Sequence, residues 1–538
     1  MGRPIFCSFP RWGCGLWLRV RRCGLGQAKE LSPLATARGA GMGARAIQKA
    51  VLHLPPPPPS PKRGGSLSDL KKITMNFHRS ITALAFLLLI TGCAVGPIYE
   101  RPTAPEVATY KEAGDWIKTA PVDALERGPW WQLFNDPVLN DLAARVEVSN
   151  QNVAAAVAAY AQARALVAEQ RAGIFPSVTL GGGASRGESS GAVRNNFSAS
   201  LGAAWEPDVW GRLKGVVTAA DATAQASAAD LAAARLAAQG ELAVNYLLLR
   251  QQDAQKALLA TTLAGYARAL EITQNRYTAG IVAKTDVLQA QTQLANARAD
   301  EAGLQRTRAQ LEHAIAVLTG RAPGNFSLPV APDYKPTVPD VPPGVPSTLL
   351  LRRPDIAAAE RRVANANAQI GIAQAAYYPS FNLSASAGTA AGQVANLFSA
   401  PALLWSLGLS GAQVLFNGGA RDARLDGARA GYDQTVARYR QVVLSAFQNV
   451  EDQLSSARVL QTQQALRVQA SSAADQVEQQ VLNRYRSGLV SFSEVITAQT
   501  TALNARRALV QATADRQTTA VALIQALGGG WKSEEAGK

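Results

Sequence analysis

The chain has 538 residues, 47% of them hydrophobic, with 54 Lys and Arg against 39 Asp and Glu, three His and four Cys. A formal charge of +15 suggests a nucleic-acid partner, but residues 1–92 hold fourteen of the basic and two of the acidic residues, leaving only +3 on the remainder, so none is expected. Cys7, Cys14 and Cys23 share that stretch, so beyond it Cys93 stands alone and neither an internal disulfide nor a cysteine metal site can form.

Residues 1–74 are Arg- and Gly-rich without period and carry a proline run at 55–59. They read as a wrongly assigned start upstream of Met75, or as a disordered basic extension. Residues 75–92 read as a secretory signal: His78-Arg79, then an apolar run from Ile81 to Ile90, then small residues before Cys93. The run is too short for a membrane span; the plainer alternative is a short buried helix with a chance Cys. Ile90-Thr91-Gly92-Cys93 resembles a bacterial lipobox. The resemblance implies cleavage before Cys93, a diacylglycerol and an acyl chain on that residue, and, with Ala94 following, sorting to the outer membrane.

Residues 93–136 form a Pro-rich tether that ends at Trp130-Trp131, read as packing anchors, and at Asp136-Pro137, a helix start with proline at its first position. A first repeat over 137–320 follows. A helix is predicted from Pro137 to Gly173, with Leu142, Val146, Val153, Val157 and Leu166 on a helical period. After Pro176 the period changes to two. Val178 and Leu180, a Gly/Ser loop at 181–192, and then Phe197, Ala199, Leu201, Ala203 and Trp205 predict a hairpin with one apolar face. From Gly211-Arg212 a helix of roughly 65 residues, about 100 Å, runs to Tyr277 without a proline. Its alanines lie on two sides, as in a wall of helices rather than an isolated coiled coil. A turn at 278–285 sends a further helix back to about Thr319. Residues 321–350 are a Pro-rich seam between repeats. The pattern restarts over 351–530: a helix from Pro354, a hairpin with Phe381, Leu383, Leu403, Trp405, Leu407 and Leu409, a long helix from about Ala420 to Tyr485, a turn, and a helix to about Leu527. Residues 531–538 are a polar tail.

The duplication is plainest at the turns. Residues 275–298 and 483–506 align without a gap, about half the positions are identical, and the copies lie roughly 200 residues apart. Each reads Asn-Arg-Tyr, then a glycine (Gly280, Gly488) where a helix end needs a left-handed residue. An apolar pair follows (Ile281 and Val282; Leu489 and Val490). Thr285-Asp286 and Ser493-Glu494 then supply the cap and first-turn charge of the next helix.

Four short alternating strands cannot close a membrane barrel, which needs about eight or more, and open sheet edges are not tolerated in lipid. The chain must therefore pool strands with further copies of itself. WWQLFNDPVLNDL at 130–142, LRRPDIAAAERRVANANAQIG at 351–371, the two Pro-Ser strand starts and the two RY-x-x-G turns resemble the TolC-like outer membrane factors, closest to the lipoprotein branch labelled NodT. The resemblance spans 93–530. It implies a mainly α fold with a membrane β-barrel: a homotrimer whose twelve-stranded barrel is continued by a twelve-helix periplasmic tunnel. It also implies a periplasmic adaptor and an inner-membrane, proton-driven pump as partners, with this chain the passive exit duct in the outer membrane. A type I protein-secretion duct or a metal-ion efflux duct is a same-fold alternative, and a pore-less periplasmic lipoprotein rod an alternative of another class.

Carried over residue by residue, the resemblance makes Gly280, Ile281, Val282, Gly488, Leu489 and Val490 adaptor contacts. It makes Tyr277, Asp286, Tyr485 and Glu494 part of a periplasmic gate. Here Glu494 stands where the family has Asp, Thr497 where it has a second Asp, and Val490 where it has Arg. Asp286 and Glu494 also read simply as helix first-turn charge. Among the aromatics at strand positions or ends (Phe175, Phe197, Trp205, Trp210, Phe381, Trp405, Phe416), Phe197, Trp205, Phe381 and Trp405 are expected at the membrane interfaces. No cofactor or enzymatic activity is expected beyond the lipid on Cys93: His313 is the one histidine after the signal, and no Walker-type loop is present.

Overall fold

The computed structural model describes residues 95–105, 107, 109–112, 129–189, 191–341, 352–399 and 403–531. Cys93 and the extension before it therefore lie outside the described residues. The elements are α1 (Pro137–Ser149), α2 (Gln151–Ala172), β1 (Ser177–Ser189), β2 (Ala192–Trp205), α3 (Arg212–Thr278), α4 (Lys284–Leu318), α5 (Pro354–Ala375), β3 (Ser380–Ala391), β4 (Leu403–Ala412), α6 (Ala420–Arg486) and α7 (Phe492–Ala526). The duplication is nearly exact in length: α3 and α6 each have 67 residues, α4 and α7 each 35, α2 and α5 each 22.

The single helix expected over 137–173 is two helices. Asn150 breaks it with ψ 125°, and its side chain accepts from the backbone N–H of Asn152 and Val153 while the break leaves it as the cap of α2. The same side chain donates from Nδ2 to the Leu318 carbonyl at 2.9 Å, at the C-terminus of α4. Thus α2 sits end to end on α4, with Gly320, in a left-handed conformation, against Ser149. The second repeat repeats the joint. Arg353 donates from Nη1 to the Ala526 carbonyl at 2.9 Å, and Gly528, also at positive φ, abuts Arg352. Each repeat is therefore one long helix beside a two-piece helix of similar reach. Replacing Asn150 with Ala removes a cap and a cross-helix bond together; a loss of about 1–2 kcal/mol in thermal or denaturant unfolding is the expected result.

The helices pack in the order α2/α4, α3, α5/α7, α6, so the α2/α4 stack and α6 are the two edges of the layer. Alanines make this close contact possible: Ala219, Ala220, Ala224, Ala226 and Ala229 of α3 are all buried. Gly240 of α3 lies directly under Gln525 of α7, where a Cβ would overlap the amide. The main core gathers Trp130, Trp131, Phe134, Leu139, Leu242, Tyr246, Ile356, Tyr439 and Ile524 around the middle of the helices. The paired tryptophans are anchors as expected, edge to face at 5.8 Å.

Beside this core lies a buried polar network. The Asp136 carboxylate caps α1 and accepts from the Tyr246 hydroxyl at 2.6 Å. Burial, and then that bond, push the Tyr246 phenol well above its ordinary range, so it stays a donor. Arg250 donates to the Tyr246 oxygen at 3.0 Å and to Asp253 at 2.7 Å. Arg308 of α4 holds the other Asp253 oxygen at 2.7 Å and also pairs with Glu312. Asp253 is 0% exposed. The carbonyls of Leu328 and Pro329 and the N–H of Ala331 close the network, so the seam between repeats is fastened to α3 and α4.

The strands form one antiparallel sheet in the order β1-β2-β3-β4, joining the two hairpins through β2 and β3. The Gly/Ser stretch read as a loop at 181–192 is mostly strand: β1 continues to Ser189, pairing Gly181 with Ser200 and Gly183 with Ser198. Small residues are suited there because the facing serine hydroxyls lie about 3.2 Å from where a Cβ would be.

Candidate functional site

The register sorts the sheet into two faces. Leu180, Leu201, Ala387 and Trp405 are aligned across the four strands, and so are Val178, Ala203, Ala385 and Leu407. Residues opposite one another share a face, so one face is apolar. The other carries Thr179, Ser198, Ser200, Asn382, Ser384, Ser386, Ser406, Ser410 and glycines. Both faces are bare in the single chain; on the apolar one Leu180 is 83% exposed, Trp405 78%, and Leu407 and Leu409 each 70%. An exposed apolar patch of this kind marks a membrane or partner surface. The polar face presents hydroxyls and amides, which suit a wet lumen.

The predicted aromatics divide. Trp405 stands out from the apolar face, whereas Phe197, Trp205 and Phe381 are half-buried. Trp205 donates to the Ile174 carbonyl at 2.9 Å, tying the end of β2 to the end of α2. Trp210, between β2 and α3, stacks on Tyr378 at 4.7 Å and donates to the Pro379 carbonyl, tying the first repeat to the α5–β3 junction of the second. Phe175, Leu415 and Phe416 are the strongly exposed apolar residues at the strand–helix junctions, and Phe398 is exposed between β3 and β4. Phe398 was missed by sequence reasoning because it sits in an irregular segment with no period to reveal it.

At the opposite end of the helices the two turns have the same geometry. Gly280 and Gly488 both have φ 73°. The N–H of Ile281 reaches the Arg276 carbonyl at 2.8 Å and that of Leu489 the Arg484 carbonyl at 2.9 Å, the helix-closing pattern that a left-handed glycine permits. The caps differ from expectation. They are Ala283, which has no capping side chain, and Ser491, which forms a capping box with Glu494; Thr285 and Ser493 lie one turn position inside their helices. The apolar pairs split as well. Ile281 (63% exposed) and Leu489 (69%) point outward, whereas Val282 and Val490 are half-buried, Val490 against the core of the tip.

That core is shared between the repeats. Ala290 of α4 packs with Tyr485 of α6 and with Phe492 and Val495 of α7. The Arg276 guanidinium lies 4.9 Å from the centre of the Tyr485 ring, a cation–π contact between the two turns. Tyr485 is buried, but its counterpart Tyr277 is 40% exposed; Asp286 is half-buried and Glu494 exposed. The four residues assigned to the gate thus lie together at one end of the bundle, and the two Tyr positions are inequivalent. The two tips also differ in chemistry: Phe492 is buried where the aligned Lys284 is exposed.

A family model described as "outer membrane efflux protein" matches residues 142–321 and 345–529, one block per repeat. The chain belongs to the outer membrane efflux protein family. Among its relatives is the probable efflux pump outer membrane protein TtgC of Pseudomonas putida, 32% identical over 466 residues, covering 84% of this chain and 95% of TtgC. Of solved structures, the outer-membrane channel OprN matches with a TM-score of 0.75 at 32% identity, covering 82% of this chain and all of that one. The open state of the MtrE outer membrane channel of Neisseria gonorrhoeae matches with a TM-score of 0.75 at 28% identity, covering 82% of this chain and 99% of that one.

This outer membrane efflux protein therefore has the fold of an outer-membrane channel, mostly helical, and acts as the outer-membrane component of an efflux system. The resemblance read from its motifs is shown. The pore-less rod, which requires no membrane strands, is set aside by the four-stranded sheet.

Proposed function

We propose that the mature protein begins at Cys93, carries a diacylglycerol and an acyl chain there, and assembles as a homotrimer. Three sheets then close a twelve-stranded barrel, continued by a twelve-helix periplasmic tunnel. The observation that carries this reading is the sheet: an exposed apolar face, an exposed hydroxyl face, and, among the described residues, two unpaired edges, β1 and β4. Because β1 and β4 run in opposite directions in the sheet, β4 of one copy can pair antiparallel with β1 of the next, and the ring removes both edges. The helical layer is open in the same sense. Val157 and Leu166 of α2 and Leu288 of α4 are exposed at one edge, and Leu444, Val459 and Leu466 of α6 at the other. A head-to-tail contact of these edges closes a ring.

In this assembly the duct is passive. It conducts drugs or other small molecules delivered by a periplasmic adaptor and a proton-driven inner-membrane pump. The outward Ile281 and Leu489 beside Gly280 and Gly488 are the adaptor contacts, with Val282 and Val490 supporting them from beneath. Tyr277, Asp286, Tyr485 and Glu494 line the periplasmic constriction. Labelled palmitate should enter the wild-type protein and not Cys93→Ala, and a deletion strain should become drug-sensitive. A deletion that leaves drug tolerance intact but abolishes one secreted protein, or metal tolerance alone, would replace this reading with a secretion or metal-ion duct.

A further inference from the structure

From α3 onward the two repeats correspond at a constant offset of 208 residues, Gly280 with Gly488 and Leu318 with Ala526. The buried network of the first repeat can therefore be compared position by position with the same place in the second. Both arginines persist: Arg250 corresponds to Arg458 and Arg308 to Arg516. Their carboxylates do not. Gln461 replaces Asp253 and Ala520 replaces Glu312, while Ala457 replaces the fully buried Leu249. Where Leu249 and Glu312 fill the first repeat, the second has a cavity of about 200 Å³.

The cavity is bounded by α6, α7 and the seam residues 338–341. Its seam wall is held in place: Gln517 donates to the Thr337 carbonyl at 2.9 Å and to the Tyr334 hydroxyl at 3.2 Å, and Val341 is buried in the main core. Val341, Ala457, Ala520 and Leu523 make an apolar interior, and Arg516 supplies the cation. Arg516 makes no ion pair among the described residues. It donates from Nη1 to Gln464, whose amide is itself fixed by donating to Thr513 at 2.8 Å. Arg458 has taken a different carboxylate, Glu112 of the N-terminal tether. Asp340, exposed, also lines the cavity.

We propose that this cavity is a binding site for a small organic monocarboxylate with an apolar body. Its carboxylate would take at Arg516 the place that Asp253 and Glu312 hold at Arg308. A guanidinium offers a planar fork matched to a carboxylate, and the interior left by Ala457 and Ala520 accepts an apolar body of about ten heavy atoms. Asp340 disfavours a second negative charge, so a dicarboxylate is rejected. The site depends on the fold of one chain and not on the pore.

The test uses the full-length detergent-solubilised protein and 1-naphthoate, followed by calorimetry. One saturable site per chain is expected. Arg516→Gln should weaken binding at least tenfold, and Ala520→Glu, which restores the carboxylate of the first repeat, should abolish it. Naphthalene-1,4-dicarboxylate should bind at least tenfold more weakly than 1-naphthoate. Helical circular dichroism checks that both variants fold; if Ala520→Glu does not, Arg516→Gln and the dicarboxylate decide. Absence of saturable binding at millimolar concentration, or binding that both folded variants retain, would overturn the proposal.

Discussion

Replacing Asp253 with Ala is expected to cost about 3–5 kcal/mol. The carboxylate is 0% exposed and is held by Arg250 and Arg308, themselves 2% and 12% exposed. Removing it leaves two guanidiniums facing each other in the interior, and it frees the Ala331 N–H that fastens the seam. Asp253→Asn keeps the shape and loses the charge, so it should fall between Ala and wild type. The contrast is Arg458→Ala in the second repeat: Arg458 is 58% exposed, and an exposed pair contributes little, so its change should stay within about 1 kcal/mol. Denaturant midpoints for the three variants decide. A loss for Asp253→Ala no greater than that for Arg458→Ala would show that the network does not bind the seam to the helices.

The second large effect separates two neighbouring residues of β4. Leu407 and Ser406 are both exposed in the single chain but lie on opposite faces of the sheet. In a lipid-embedded barrel, Arg at Leu407 faces hydrocarbon and costs about 2–4 kcal/mol per chain near the bilayer midplane. Arg at Ser406 faces water in the lumen and is tolerated. Outer-membrane yield and heat-modified gel mobility should therefore collapse for Leu407→Arg and persist for Ser406→Arg. Equal tolerance of the two would mean that the apolar face does not meet lipid.

Much of this was legible in the sequence, because the signals were periodic. The alternation at 197–205 and 403–409 marked the strands, and the proline-free run from Arg212 marked a helix of 67 residues. The Asn-Arg-Tyr…Gly repeat gave both turns, and their glycines have the left-handed conformation expected. The failures share a cause: local composition was overruled by partners distant in sequence. Asn150 interrupts a run of helix formers because Leu318 offers its side chain a carbonyl. Gly181–Gly183 looked like a loop, yet β2 supplies the facing serines that make a strand of it. Ser493 looked like the cap because it precedes Glu494, but the partners of a capping box stand three positions apart, which selects Ser491. The network around Asp253 was not legible at all. Its members come from the tether, α3, α4 and the seam, and no spacing links them before the chain is folded.

The central claim is that copies of this chain close a ring whose apolar faces meet lipid and whose hydroxyl faces line a conducting lumen. Single-channel recording of the purified protein in planar bilayers tests it most directly. The prediction is discrete conductance steps from wild type and from Ser406→Arg, and none from Leu407→Arg. Folded, membrane-bound wild-type protein that gives no steps would contradict it.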